Sequence, residues 1–63
     1  MTTGAKLLKA RTDAGLTIPE LSVRAGVSVG TISMIETGSQ TNPCVQTLRK
    51  LADALKIKLT ELL

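Results

Sequence analysis

Gly15, Gly26 and Gly38 follow one another at spacings of eleven and twelve residues, and each stands just after a short segment with apolar residues at helical period. Glycine accepts the left-handed conformation that ends a helix, which other residues adopt only at a cost. The first 38 residues are thereby divided into three short helices. Phe, Trp and Tyr are absent from all 63 residues, so the core has to be aliphatic. Short length, leucine content and the lack of aromatic pairs favour helices packed on one another over a β-rich fold. A chain of this size is expected to form one domain, residues 1–63, and to hide only ~60% of the surface it exposes when unfolded.

The punctuation predicts about five short helices. The first spans roughly 4–14, with Leu7, Leu8 and Arg11 on one face and Lys6, Lys9 and Asp13 turned to water. The second opens at "TIPE", residues 17–20. Thr17 and Glu20 there have the spacing of a capping box, in which the hydroxyl and the carboxylate each satisfy a free backbone N–H. Pro19 is tolerated because N–H groups of the first turn have no intrahelical partner. Ser28 caps a third helix by the same chemistry, and Gly38 closes it. In the loop "SQTNP", Pro43 biases Asn42 away from helix. A fourth helix over about 45–55 carries Val45, Leu48, Leu51, Ala52 and Leu55 as a stripe. The final "LTELL" is expected to fold Leu59, Leu62 and Leu63 over the core as a lid. The fold class is all-α, a compact bundle.

Several function classes are disfavoured. No histidine is present, so there is no imidazole base and no expected zinc site. The carboxylates Asp13, Glu20, Glu36, Asp53 and Glu61 are dispersed, which points away from an enzyme. Cys44, the single cysteine, has no partner for an intrachain disulfide, so a cytoplasmic setting is the default. The opening "MTTGAKLLKA" lacks the apolar run of a signal peptide, and no stretch approaches the ~20 apolar residues of a membrane span. Neither a small-molecule cofactor nor a membrane is expected as a partner. The net charge of +3 leans toward an anionic partner, although three charges on so small a chain also serve solubility.

Residues 18–37 have a distinct grammar: a short helix, a tight turn at Gly26, then a second short helix. Ser22 is small where the two helices would cross, and Leu21, Ala25, Val27, Ile32 and Ile35 supply a shared core. The segments "LTIPELSVRAGVSVGTISMIETG", "NP" and "LRKLADALKIKLTELL" together resemble the phage-repressor/Cro-like (XRE-type) helix-turn-helix domains, over nearly the whole chain. The resemblance implies a lambda-repressor-like fold with its helix-turn-helix at 18–37. It also implies binding to double-stranded DNA by a transcriptional regulator, as a homodimer on an inverted repeat, at the nucleoid. The family's buried ion pair between the first helix and the recognition helix maps onto Arg11 and Glu36. Its groove-reading positions map onto Ser28, Val29, Gly30, Thr31, Ser33 and Met34. Backbone-facing positions fall at Thr17 and Ile18 before and at the start of the second helix, and at Thr41 and Asn42 in the loop.

This chain departs from the family pattern where it matters most. None of its reading positions carries Arg, Gln or Asn, the strong readers of base edges. Apolar contact from Val29 or Met34 with thymine methyl groups remains, together with hydroxyl contacts from Thr31 and Ser33, while Gly30 permits close approach of the backbone. Lys6, Lys9, Arg24, Arg49, Lys50, Lys56 and Lys58 lie mostly away from the expected DNA face. A second reading therefore stands beside the first: a protein-interaction module that keeps the fold with a weakened DNA face, in which Ile18, Val23, Val29 and Met34 form an apolar patch.

Overall fold

The structure, a computed structural model, describes residues 2–40 and 42–63. Four α-helices follow in order: α1 (Thr3–Asp13), α2 (Ile18–Ala25), α3 (Val29–Thr37) and α4 (Val45–Leu55). A 3-10 turn, Leu59–Glu61, closes the chain. The architecture is all-α, and among the described residues no helix is long and apolar enough to cross a membrane.

The helix ends form where local chemistry demands. Thr2 Oγ1 accepts from the Ala5 N–H and starts α1. At the other end Gly15 is left-handed, with φ 73°. Its N–H reaches the Thr12 carbonyl, and the Leu16 N–H reaches back to the Arg11 carbonyl at 3.1 Å. This paired closure satisfies two carbonyls and turns Leu16 into the core. α4 ends in the same way without a glycine: Lys56 itself is left-handed, at φ 58°, and the Ile57 N–H reaches the Ala52 carbonyl.

One aliphatic cluster joins every element. Leu7, Leu16, Leu21, Val27, Ile32, Ile35, Leu48, Leu51, Ala52, Leu55 and Leu62 are buried, with Ile18, Ile57 and Leu59 packed against them. Three residues expected inside are exposed: Leu8, Val45 and Leu63. On α1 the buried line runs through Gly4 and Leu7 toward Arg11, so Leu8 sits at its edge. Val45 is the first residue of α4, and Leu63 lies beyond the closing turn.

Gly4 sets how closely α1 approaches α3. A Cβ placed there would collide with the Ile35 carbonyl oxygen and lie 3.2 Å from that of Glu36. Helix propensity alone makes Gly→Ala favourable by up to about 1 kcal/mol. Gly4→Ala is expected to do the reverse and destabilise by about 1–3 kcal/mol, because backbone rather than a flexible side chain has to yield. Gly30 has nothing within 4 Å of the same added atom, so Gly30→Ala is expected to gain stability. Paired urea melts of the two variants check the opposite signs. A second expectation concerns Cys44, which stands at the N-cap of α4 without a side-chain cap hydrogen bond. Cys44→Ser supplies the missing acceptor and should raise stability by roughly 0.5–1 kcal/mol in the same assay.

Candidate nucleic-acid interface

The unit formed by α2 and α3 is built from two capped helices and a very short connection. The Thr17 backbone N–H donates to Glu20 Oε1 at 2.9 Å, and the Glu20 N–H donates to Thr17 Oγ1 at 3.3 Å. Accepting the Thr17 backbone N–H, and then the Thr17 hydroxyl interaction, holds the Glu20 carboxyl below the ordinary glutamate range. α2 stops at Gly26, left-handed at φ 69°, where the Gly26 and Val27 N–H groups both reach the Ser22 carbonyl. Val27 is buried and pins the turn, and Ser28 caps α3 by accepting the Thr31 N–H at 3.1 Å. Only Gly26, Val27 and Ser28 separate the helices.

At 3.6 residues per turn α3 has two sharply different sides. Ile32 and Ile35 enter the core. Val29, Gly30 and Met34 are exposed, with Ser33 half-buried between them and Thr31 half-buried on the flank. Val29 is 45% and Met34 47% exposed, so two apolar side chains stand in solvent on this helix. Thr37 extends the same outward side, one turn past Ser33. It was not among the sequence-derived positions, although its spacing of seven from Gly30 places it there. No residue on this side is charged; Glu36, the one ionisable group of α3, turns inward.

Glu36 meets Arg11 of α1. Arg11 Nε donates to Glu36 Oε2 at 2.7 Å and Nη2 donates to Oε1 at 3.0 Å, a two-pronged contact. Arg11 Nη1 also donates to the Leu16 carbonyl at 2.8 Å. The two side chains are only 13% and 7% exposed. The hydrogen bond with Glu36 raises the Arg11 pKa above its ordinary value, against the opposing effect of burial.

The positions expected to face a nucleic-acid backbone are less uniform. Thr17 has both its N–H and its hydroxyl engaged with Glu20. Ile18 packs partly against the core, since the first turn of α2 lies over it, so it offers little side chain to a partner. The Glu20 carboxylate already occupies the positive end of α2, where a phosphate would otherwise be favoured. Asn42 is exposed, and Thr41 lies outside the described residues. Arg24, in the last turn of α2, is the exposed cation nearest in sequence to α3. Among the described residues no group of His, Cys, Asp and Glu is arranged to hold a metal ion.

Two short capped helices around a glycine turn, with one helix presenting its outer side to solvent, define a helix-turn-helix. Comparison with known proteins agrees: the helix-turn-helix family profile matches residues 7–62, and the chain belongs to that family. It is 48% identical over 48 residues to the HTH-type transcriptional regulator SlrR of Bacillus subtilis (strain 168), covering 76% of this chain and 32% of SlrR. Identity to the HTH-type transcriptional repressor RghR of the same organism is 43% over 54 residues, 86% of this chain and 40% of RghR. With the HTH-type transcriptional regulator SinR, also from that strain, it is 35% over 60 residues, 95% of this chain and 54% of SinR. The chain therefore spans about a third to a half of the length of these relatives, and it is a helix-turn-helix domain of the kind that transcriptional regulators carry.

Replacing Arg11 leaves the Glu36 carboxylate largely buried without its partner. Arg11→Ala is expected to cost on the order of 3 kcal/mol, whereas the double change Arg11→Met with Glu36→Leu should recover most of that loss. Denaturant melts of both variants provide the check; a loss of a few tenths in Arg11→Ala would show that solvent screens the pair.

Proposed function

We propose that this chain is the sequence-specific DNA-binding domain of a transcriptional regulator, working in the cytoplasm at the nucleoid. α3 lies in the major groove with Ser28, Val29, Gly30, Thr31, Ser33 and Met34 toward the bases. Thr17, Ile18, Thr41 and Asn42 flank the sugar-phosphate backbone. The 63 residues act as one domain, paired with a second copy on an inverted repeat whose half-sites are about 10 bp apart. The pairing surface is the segment 57–63, where Leu63 is exposed. The observation that carries this reading is the fixed, outward α3: capped by Ser28, closed by Gly38 and anchored through Glu36. The chain's similarity to HTH-type transcriptional regulators supports the same reading.

With no long polar side chain on that side, base discrimination falls to apolar contact. The thymine methyl is the apolar feature that the major groove offers, and Val29 and Met34 are the exposed apolar groups of α3. Gly30, with open space around it, lets the helix backbone come close.

A second reading is favoured by α2. Val23 is 84% exposed, beside Pro19. A surface of this kind fits a protein partner, and a module that binds protein in place of DNA needs no charge on α3.

Selection of duplexes from a random library at low salt separates the two. The expected outcome is an enriched site with inverted symmetry. Replacing thymine by uracil at a contacted position should then weaken binding by roughly 1 kcal/mol, and Val29→Ser should erase that sensitivity. Uracil tolerance at every position would remove thymine reading, and failure to enrich any site would favour the protein partner.

A further inference from the structure

The hydroxyl groups at the start of α3 form a chain with a direction. The Thr31 backbone N–H donates to Ser28 Oγ at 3.1 Å, and Ser28 Oγ donates in turn to Thr31 Oγ1 at 2.7 Å. A hydroxyl has one proton and two lone pairs. The Ser28 proton is therefore engaged, and so is one lone pair of Thr31. What remains on Thr31 is its own proton and one lone pair, on a half-exposed side chain in the first turn. Two effects favour the donating role. A hydroxyl that accepts a hydrogen bond becomes a better donor, by ~10–30% per link. The positive end of the α3 dipole also repels an approaching donor and attracts an acceptor. The start of α2 differs: Thr17 Oγ1 accepts the Glu20 backbone N–H directly, with no second hydroxyl donating to it.

We propose that Thr31 is an oriented hydrogen-bond donor to the N7 acceptor of a purine in the major groove, with Ser28 as the positioning residue that sets its polarity. This rests on α3 being the groove helix, as proposed above, and adds a base class to it. Purine N7 is an acceptor, whereas the cytosine edge presents an amino donor. Thr31 thus disfavours cytosine at the base it faces; thymine O4 accepts as well, so dependence on N7 is what marks the base as a purine. It complements the methyl contacts of Val29 and Met34, which cannot tell a purine from a cytosine by hydrogen bonding.

The test is a scan of the enriched half-site with 7-deazapurines, which lack the N7 acceptor and keep Watson–Crick pairing. Wild-type protein should lose roughly fivefold in affinity at one position, the size of a single net hydrogen bond. Thr31→Ser should keep that sensitivity and Thr31→Val should lose it. Ser28→Asp is the decisive variant. Aspartate caps a helix as well as serine does, so α3 stays folded, which circular dichroism verifies. Its carboxylate has no proton to give and draws the Thr31 proton inward. The deaza sensitivity should vanish. Sensitivity is a ratio within each variant, so repulsion between the new charge and the phosphates cancels. Full sensitivity retained in Ser28→Asp would overturn the relay. Site-specific binding with no deaza effect in wild type would overturn the role of Thr31 and leave the DNA reading standing. Absence of any preferred duplex would overturn that reading itself.

Discussion

The guanidinium of Arg11 is where three parts of the chain meet. Its side chain belongs to α1, one of its nitrogens holds the Leu16 carbonyl just beyond the Gly15 turn, and two others clamp Glu36 of α3. A buried ion pair adds little net stability over an apolar replacement of the same shape, because desolvation offsets attraction. It does penalise wrong arrangements heavily, since either charge left alone in that site is costly. Gly4 works on the same contact by different means. It removes a side chain so that α1 rests against the carbonyls of Ile35 and Glu36. The orientation of α3, and with it the side it presents to solvent, is set by this seam with α1 as well as by the short turn to α2.

The remainder of the fold is aliphatic packing with carefully ended helices. A domain this small has little stability to spare, so terms of about 1 kcal/mol at helix ends are a sizeable share of the total. Thr2, Thr17 with Glu20, and Ser28 satisfy their helix starts, whereas Cys44 leaves the start of α4 without a side-chain acceptor. Lys56 likewise closes α4 in a conformation that glycine adopts more readily. Both irregularities fall at the ends of α4, while the helix ends within the α2–α3 unit are regular.

Local chemistry was the legible part of the sequence. The Thr17–Glu20 box and the glycine at position 26 follow from spacing and backbone preference alone, and the structure has both. Contacts across the chain were not legible in that way. Arg11 and Glu36 are 25 residues apart, and only resemblance to a family joined them. Gly4 reads in sequence as a poor helix former, because its reason lies in the backbone of another helix. Leu8, Val45 and Leu63 show the limit of apolar pattern: hydrophobicity marks candidates for burial, but the position of the neighbouring element decides which are covered. Thr37 follows from helical period alone, seven residues from Gly30. The Ser28–Thr31 relay required atomic positions, since the same two residues could have been capped with the opposite hydrogen-bond polarity.

The uncharged outer side of α3 bears on how such a domain would search a genome. Counterion release gives basic proteins a strong hold on any duplex, and that hold weakens steeply as salt rises. A helix that brings hydroxyls and methyl groups in place of lysines releases few ions. Its grip on random DNA would be weak, so little protein would be sequestered on the vast excess of wrong sites. The same economy of charge forgoes electrostatic steering and shortens each excursion along the duplex. Such a domain would find its site by many brief collisions rather than by long slides, and its occupancy would follow local protein concentration more closely than ionic strength.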